Sequence, residues 1–307
     1  MGHFINQIVA NVVRKTFHSM DVKRDSEQTT PKDIIRFDDI TYGHDTQWPD
    51  LQLLDVYRPK FVPTSQKLPV IVSVHGGGWV YGDKNAYQFY CMRLAQKGFA
   101  VVNFSYRLAP ESIFPSSLED TEKVFQWICN HAEQFGLDTL NVFAVGDSAG
   151  SHLLSLYSAA LSNQNYAKNF PFIKPKKLTL RAVALNCGKY KFKAPIDGRK
   201  YNILIKGYLP QHGTAEELNL VDATLHITKD FPPAFIMTCK GDFYFPQNQY
   251  LIDAMEKAGA NYEFHCYGTP ENPLQHVFHL DPYLQDADLC TKEECTFFKK
   301  FLSKNQK

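Results

Sequence analysis

From Val70 onward the sequence alternates apolar runs with amphipathic stretches, and that alternation restricts the fold more than any other feature of the chain. Pro69–His75, Phe99–Phe104, Asn141–Val145, Leu178–Asn186, Ala234–Cys239 and Tyr262–Tyr267 read as buried strands. Ser117–Gln134, Ala149–Leu161, Gln247–Ala258 and the closing stretch around Asp286–Leu302 carry helical periodicity. Strand–helix–strand repeats of this kind build right-handed crossovers, hence a mostly parallel sheet with helices on both faces. Upstream, Ile34–Tyr42 and Gln52–Tyr57 flank the turn-rich Gly43–Asp50 and predict an antiparallel start. The expectation is an α/β fold with an eight-stranded, mostly parallel sheet, and α/β domains of about this length form one unit, here residues 1–307.

Two segments stand outside the rhythm. Ile5, Ile8, Val9, Val12, Val13 and Phe17 recur at helical spacing, predicting an amphipathic helix over about residues 1–20, packed on the body. Attachment to a membrane surface and a lid role stay open for it, and Asn6, Gln7 and Asn11 interrupt the apolar run that a signal peptide needs. A polar, charged segment follows from Asp21 to Lys32. Residues 188–231, rich in Lys, Tyr, Gly and Pro, read as a small cap-like insertion over the carboxyl ends of the strands, where open α/β sheets bind ligands.

Composition narrows the function classes. With 44% hydrophobic and 21% charged residues the chain can bury a core, and a net charge of +1 gives no footprint for nucleic acid. Seven cysteines without a CxxC pair suggest reduced thiols in a cytoplasmic protein. No apolar run approaches the ~18 residues of a transmembrane helix, and the sequence is compatible with a homo-oligomer without requiring one.

The chemistry concentrates at strand ends. Leu140–Val145 runs into Gly146-Asp147-Ser148-Ala149-Gly150 and then into the helix, a strand–turn–helix elbow that strains and exposes its serine. A glycine-bracketed helix cap is the competing reading. A nucleophilic serine needs oxyanion donors, a base and a group to orient that base. His75-Gly76-Gly77-Gly78-Trp79, directly after a strand, can turn its N–H groups inward, so Gly77, Gly78 and Ala149 are the favoured donors. No GxGxxG or GxxxxGK[ST] spacing supports a nucleotide loop. Asp242 follows the strand Ala234–Cys239, whereas Asp230 precedes it and Asp253 falls inside a helix. His276 and His279 compete in the loop after the last strand, with His276 preferred for its position and the Val-Phe behind it, and His265 belongs to the strand itself. Trp79, Tyr81, Phe243 and Tyr244 lie close enough in sequence to stack on a substrate, with core packing as their plain alternative.

These residues resemble the hormone-sensitive-lipase branch of the α/β-hydrolases through HGGGW at 75–79, Gly82-Asp83, Tyr106–Glu111, Phe114-Pro115, Asp120, GDSAG at 146–150, Asp242 and His276. Ile40–Gly43 and Leu54–Pro59 are also similar to the branch that holds feruloyl esterases and arylformamidases. The resemblance implies a serine carboxylesterase acting on short-chain or aromatic acyl esters, with Ser148 as nucleophile, His276 as base, Asp242 as its partner, and neither metal nor organic cofactor. An amidase or arylformamidase with the same triad is the near alternative, and a ligand-binding protein on a retired hydrolase scaffold the distant one. Phe243-Tyr244-Phe245 replaces the usual Pro-Leu after the acid, and Val277 stands where glycine is frequent.

Overall fold

The structure is a computed structural model and describes residues 2–45, 47–192 and 199–303, so residues 193–198 of the cap-like insertion lie outside the described residues. Eight strands, β1 (Ile34–Thr41), β2 (Leu53–Pro59), β3 (Leu68–Val74), β4 (Ala100–Phe104), β5 (Leu137–Asp147), β6 (Leu180–Asn186), β7 (Ala234–Cys239) and β8 (Tyr262–Tyr267), form one sheet in the order β1-β2-β4-β3-β5-β6-β7-β8. The β1–β2 and β2–β4 pairs are antiparallel and the others parallel. Helices α1 (Gly2–Asp25), α2 (Lys84–Gln96), α3 (Ser116–Phe135), α4 (Ala149–Ser162), α5 (Gln164–Ala167), α6 (Arg199–Tyr208), α7 (Ala215–Val221), α8 (Phe245–Ala258) and α9 (Gln285–Lys299) connect and cover it.

Side chains alternate across the central strands as the pleat requires. Val70, Val72 and Val74 of β3, with Val142 and Ala144 of β5, pack into one core with α3, α4 and α8. Ile71, Phe143 and Val145 point the other way and meet α2 and α9. Both faces are covered there, so β3 and the Val142–Val145 half of β5 are near-continuous apolar runs, as in parallel sheets generally.

The structure departs from the sequence expectation in two helices. The periodicity reading left residues 84–96 without an element, yet α2 forms there. Its buried positions include Tyr87, Tyr90 and Lys84 among the aliphatic ones, which blurs the apolar stripe. Its start signal was nonetheless present: Asp83 caps the helix by accepting from the Ala86 N–H at 2.9 Å. The amino-terminal helix, expected over about residues 1–20, also runs on to Asp25, where Arg24 pairs with Asp21 and Asp25 at 2.8 and 2.7 Å and offsets the charge of the polar segment. Among the described residues no helix is long and apolar enough to cross a membrane.

The connection between α3 and β5 is held by a buried cation. Arg58 of β2 has no exposed surface and donates to the carbonyls of Phe135, Gly136, Pro63 and Gln66 at 2.6–3.1 Å. Arg58→Ala leaves four carbonyls without that donor, and the bonds to Phe135 and Gly136 are buried. A loss of roughly 3 kcal/mol is expected, read as a lower denaturation midpoint at unchanged denaturant slope; a variant as stable as the parent would show that the carbonyls find other partners.

Candidate active site

Ser148 sits at the carboxyl end of β5, on the first position before α4, with φ 51° and ψ −115°. A side chain rarely adopts this region, and the cost, of order 1–3 kcal/mol, is sustained only where surroundings over-determine the turn. Here they do. The Ser148 N–H donates to the Asn186 carbonyl at 2.9 Å, its own carbonyl accepts from His152 N–H at 3.1 Å, and Gly150 is pressed so tightly on the end of β3 that a Cβ would overlap the Val74 carbonyl oxygen. The hydroxyl is thereby aimed away from the sheet at the amino end of α4, where the helix dipole favours negative charge.

The glycine loop after β3 lies alongside. Val74 is paired with Gly146, so the two strands end level with one another. Gly77, at φ 111°, turns the loop back so that its carbonyl accepts from the N–H groups of Val80 and Tyr81 at 3.2 and 3.0 Å. No backbone hydrogen bond among the described residues uses the N–H of Gly77, Gly78 or Ala149. His75 is locked beneath the loop: its ring stacks on Tyr106 at 3.9 Å, Nδ1 contacts the Gly76 carbonyl at 2.8 Å, and burial pushes its pKa down to about 4, so it stays neutral.

The candidate acid and base come from the segments that follow β7 and β8. Asp242, just past β7, is buried and accepts through Oδ1 from the Tyr244 N–H at 2.8 Å, and through Oδ2 from the Thr238 hydroxyl at 2.8 Å. Burial pushes its carboxyl up, but the hydrogen bond and charge of His276, with those two donors, outweigh it and hold the group below the ordinary carboxylate range. His276 Nδ1 lies 2.7 Å from Asp242 Oδ1 and Nε2 lies 2.9 Å from Ser148 Oγ. An ionised Asp242 requires the proton on Nδ1, which leaves Nε2 to accept from the serine hydroxyl.

His279 takes no part in this chain. It is buried against Tyr90 at a 5.0 Å ring separation, neither ring nitrogen has a hydrogen-bond partner among the described residues, and burial pushes its pKa down to about 3. Asp253 bonds Gln249 on the surface of α8. Cys187, with Asp242 and His276, forms the one group among the described residues whose donor atoms, all within 4.8 Å, could hold a metal ion; Asp242 and His276 already satisfy each other there.

The four aromatic candidates divide. Phe243, 53% exposed, lies 4.1 Å from the His276 ring, and Tyr244 lies edge-on to it at 5.5 Å. Trp79 instead is 4% exposed, stacks on Tyr208 at 5.1 Å and donates its indole N–H to His152 Nδ1 at 3.1 Å, so its packing alternative prevails. Tyr81 turns to α1, donating to Asp21 at 2.7 Å and meeting Phe17 edge-on. Sequence reasoning also missed Leu204 of α6, which covers Gly78 so closely that an added Cβ would come within 3.3 Å of Leu204 Cδ1. Nothing in the local sequence of α6 signals that contact.

Esterases are prominent among the known proteins that the chain resembles. Versiconal hemiacetal acetate esterase of Dothistroma septosporum is 29% identical over 243 residues, 72% of this chain and 70% of that protein. The probable carboxylic ester hydrolase LipM of Mycobacterium tuberculosis is 26% identical over 224 residues; the match takes in 71% of this chain but only 51% of LipM. An acetyl esterase of Salmonella schwarzengrund is 24% identical over 257 residues, 79% of this chain and 74% of that one. Esterase B of Lactobacillus rhamnosis, solved with a C6–C4 SN3 inhibitor, has the same fold, with a TM-score of 0.87 over 97% of this chain and 96% of that one at 23% identity. Residues 54–252 match the family model BD-FAE, from β2 into α8. A match over that much of the chain, with named esterases among its relatives, makes this protein a member of the BD-FAE family, an α/β-hydrolase acting as a carboxylic ester hydrolase.

Proposed function

We propose that the chain hydrolyses short-chain or aromatic acyl esters through Ser148, His276 and Asp242 with an acyl-enzyme intermediate. The observation that carries this reading is the unbroken run of contacts from Ser148 Oγ to His276 Nε2 at 2.9 Å and from His276 Nδ1 to Asp242 Oδ1 at 2.7 Å. His276 takes the Ser148 proton as the hydroxyl attacks the ester carbonyl. The resulting oxyanion is stabilised by the N–H groups of Gly77, Gly78 and Ala149, and collapse expels the alcohol, which receives the proton back from His276. Water then enters, loses its proton to the same imidazole, attacks the acyl carbon and releases the acid and Ser148. Asp242 holds the tautomer and offsets the imidazolium charge.

Two features support the substrate range. Leu204 over Gly78 limits depth next to the oxyanion donors, which suits small acyl groups, as do the acetates in the names of the fungal and Salmonella relatives. Phe243 and Tyr244 beside His276 supply ring faces for an aromatic ester component. Seven unpaired cysteines fit a reducing, cytoplasmic setting.

Ser148→Ala is expected to lower kcat on p-nitrophenyl acetate by up to about 10⁶, and His276→Ala comparably, while His279→Gln keeps most of the turnover. Serine-independent hydrolysis would reject the triad. Leu204→Ala should move kcat/KM from butyrate toward octanoate esters by about tenfold, the worth of roughly two newly buried methylenes at about 0.8 kcal/mol each; an unchanged ratio would place the acyl chain elsewhere. Folded Asp242 releases its proton more readily than it does in the unfolded chain, so its contribution to stability is complete above the ordinary carboxylate range, near pH ~4, and disappears as pH falls through the lower folded value. The unfolding midpoint of Asp242→Asn should accordingly lose less than the parent's over that acid range.

A further inference from the structure

The oxyanion loop and the serine elbow are joined by a side chain that belongs to neither. Tyr87 of α2 is buried, and its hydroxyl stands between the two segments: it accepts from the Gly76 N–H at 2.8 Å and lies 2.8 Å from Asp147 Oδ2, to which it donates. Gly76 is the residue before the first proposed oxyanion donor, and Asp147 is the residue before the proposed nucleophile. We propose that Tyr87 is a positioning residue, whose hydroxyl sets the separation between the Gly77 and Gly78 N–H groups and Ser148. The inference rests on the triad and oxyanion assignment made above.

The geometry leaves this role to Tyr87. Most other bonds to the loop tie it outward: the Tyr106 hydroxyl donates to the His75 carbonyl at 2.9 Å, the Ala109 N–H to the Trp79 carbonyl at 2.9 Å, and Arg14 of α1 to the Val80 carbonyl at 2.8 Å, while the Trp79 indole at the far end of the loop donates to His152 of α4 at 3.1 Å. These fix the loop against the sheet and the amino-terminal helix. Among the described side-chain bonds, only the Tyr87 hydroxyl bonds both the loop and a residue of the elbow 146–150 itself, and a Cβ on Gly76 would come within 2.7 Å of Asp147 Oδ2 and 2.9 Å of the Tyr87 oxygen, so the three groups are already at contact. The Tyr87 ring itself is buried and meets His75 at 5.8 Å, beneath the loop. Donors preorganised for a developing charge lose their effect steeply with displacement, and a misplacement of about 1 Å can cost on the order of 10² in rate.

Tyr87→Phe removes the hydroxyl and keeps the ring. The expected result is a fall in kcat of about 10- to 100-fold on p-nitrophenyl acetate with KM within about twofold, and a parallel fall in the rate of Ser148 phosphonylation by a p-nitrophenyl phosphonate, whose attack builds the same charge in the hole. Tyr90→Phe serves as the control for a merely structural hydroxyl, because Tyr90 lies on the same helix, is equally buried and donates to Glu294 at 2.7 Å; it should lower thermal stability and leave kcat intact. Asp147→Asn retains an oxygen to accept from Tyr87 and should lose less kcat than Tyr87→Phe. Parental kcat in folded Tyr87→Phe, or equal losses in Tyr87→Phe and Tyr90→Phe, would overturn the proposal, as would a larger loss in Asp147→Asn than in Tyr87→Phe. Should Tyr87→Phe fail to fold, the order of Asp147→Asn and Asp147→Ala decides: equal kcat in the two overturns the proposal, a higher kcat in Asp147→Asn supports it. Ser148→Ala run alongside separates the two readings, since activity surviving there rejects the triad rather than the role of Tyr87.

Discussion

The parallel register that sets Val74 opposite Gly146 is the constraint on which the rest of this molecule depends. It ends two neighbouring strands at the same height, so the glycine loop leaving one and the serine elbow leaving the other must share a single patch at the sheet's carboxyl edge. Gly150 makes the match tight, because its lack of a side chain lets α4 begin directly on the carbonyls of Val74 and His75. Asp242 and His276 then need only come from the next strand ends on the same edge. A slip of one residue in this pair would reverse the facing of Val70, Val72 and Val74 and exchange two cores at once.

Around that edge the charged residues act as braces. Arg107 pairs with Asp120 through two donors at 2.8 and 2.9 Å, and Asp120 also accepts from Gln52 at 2.7 Å, which ties the segment after β4 to α3 and to the entry of β2. Arg14 reaches from α1 to Glu111 and to the carbonyls of Val80 and Ala109. Planar guanidinium groups suit such bridging because one side chain satisfies several fixed acceptors. The amino-terminal helix thus holds the loop that follows the glycines by polar contacts, while Ala10 and Val13 pack into the core. Ile5, Ile8 and Val12, expected to face the body, are largely exposed; the helix is rotated so that Arg14 and Asp21 meet their partners.

Much of this was legible in the sequence where the signal is local. The strand ends, the elbow, the order of Ser148, Asp242 and His276, and the antiparallel start all follow from apolar runs and from glycine spacing, which are fixed within a few residues. The sequence also favours His276 over His279 for its position and the Val-Phe behind it, and it is His276 that lies between Asp242 and Ser148. What escaped depends on contacts distant in the chain. Helix α2 buries tyrosines and a lysine, so its stripe could not be told from a loop. Trp79 fits either a substrate wall or the core by its sequence, and the stacked ring of Tyr208, far away along the chain, puts it in the core. Leu204 over Gly78 is likewise set by the path of α6 across the site.

Val277 carries a consequence of its own. It follows His276 with φ 56°, a left-handed conformation in which a β-branched residue is strained and glycine is at ease. Glycine at such a position would leave the loop many conformations to sample, each carrying the imidazole away from Ser148. Valine is strained there by about 1–3 kcal/mol, so the turn persists because its surroundings hold it: the Val277 carbonyl accepts from the Leu280 N–H at 3.1 Å and the side chain packs against the core beneath. The orientation of His276 is therefore backed by packing under tension rather than by a turn at rest, and loosening that packing would release the imidazole along with the strain.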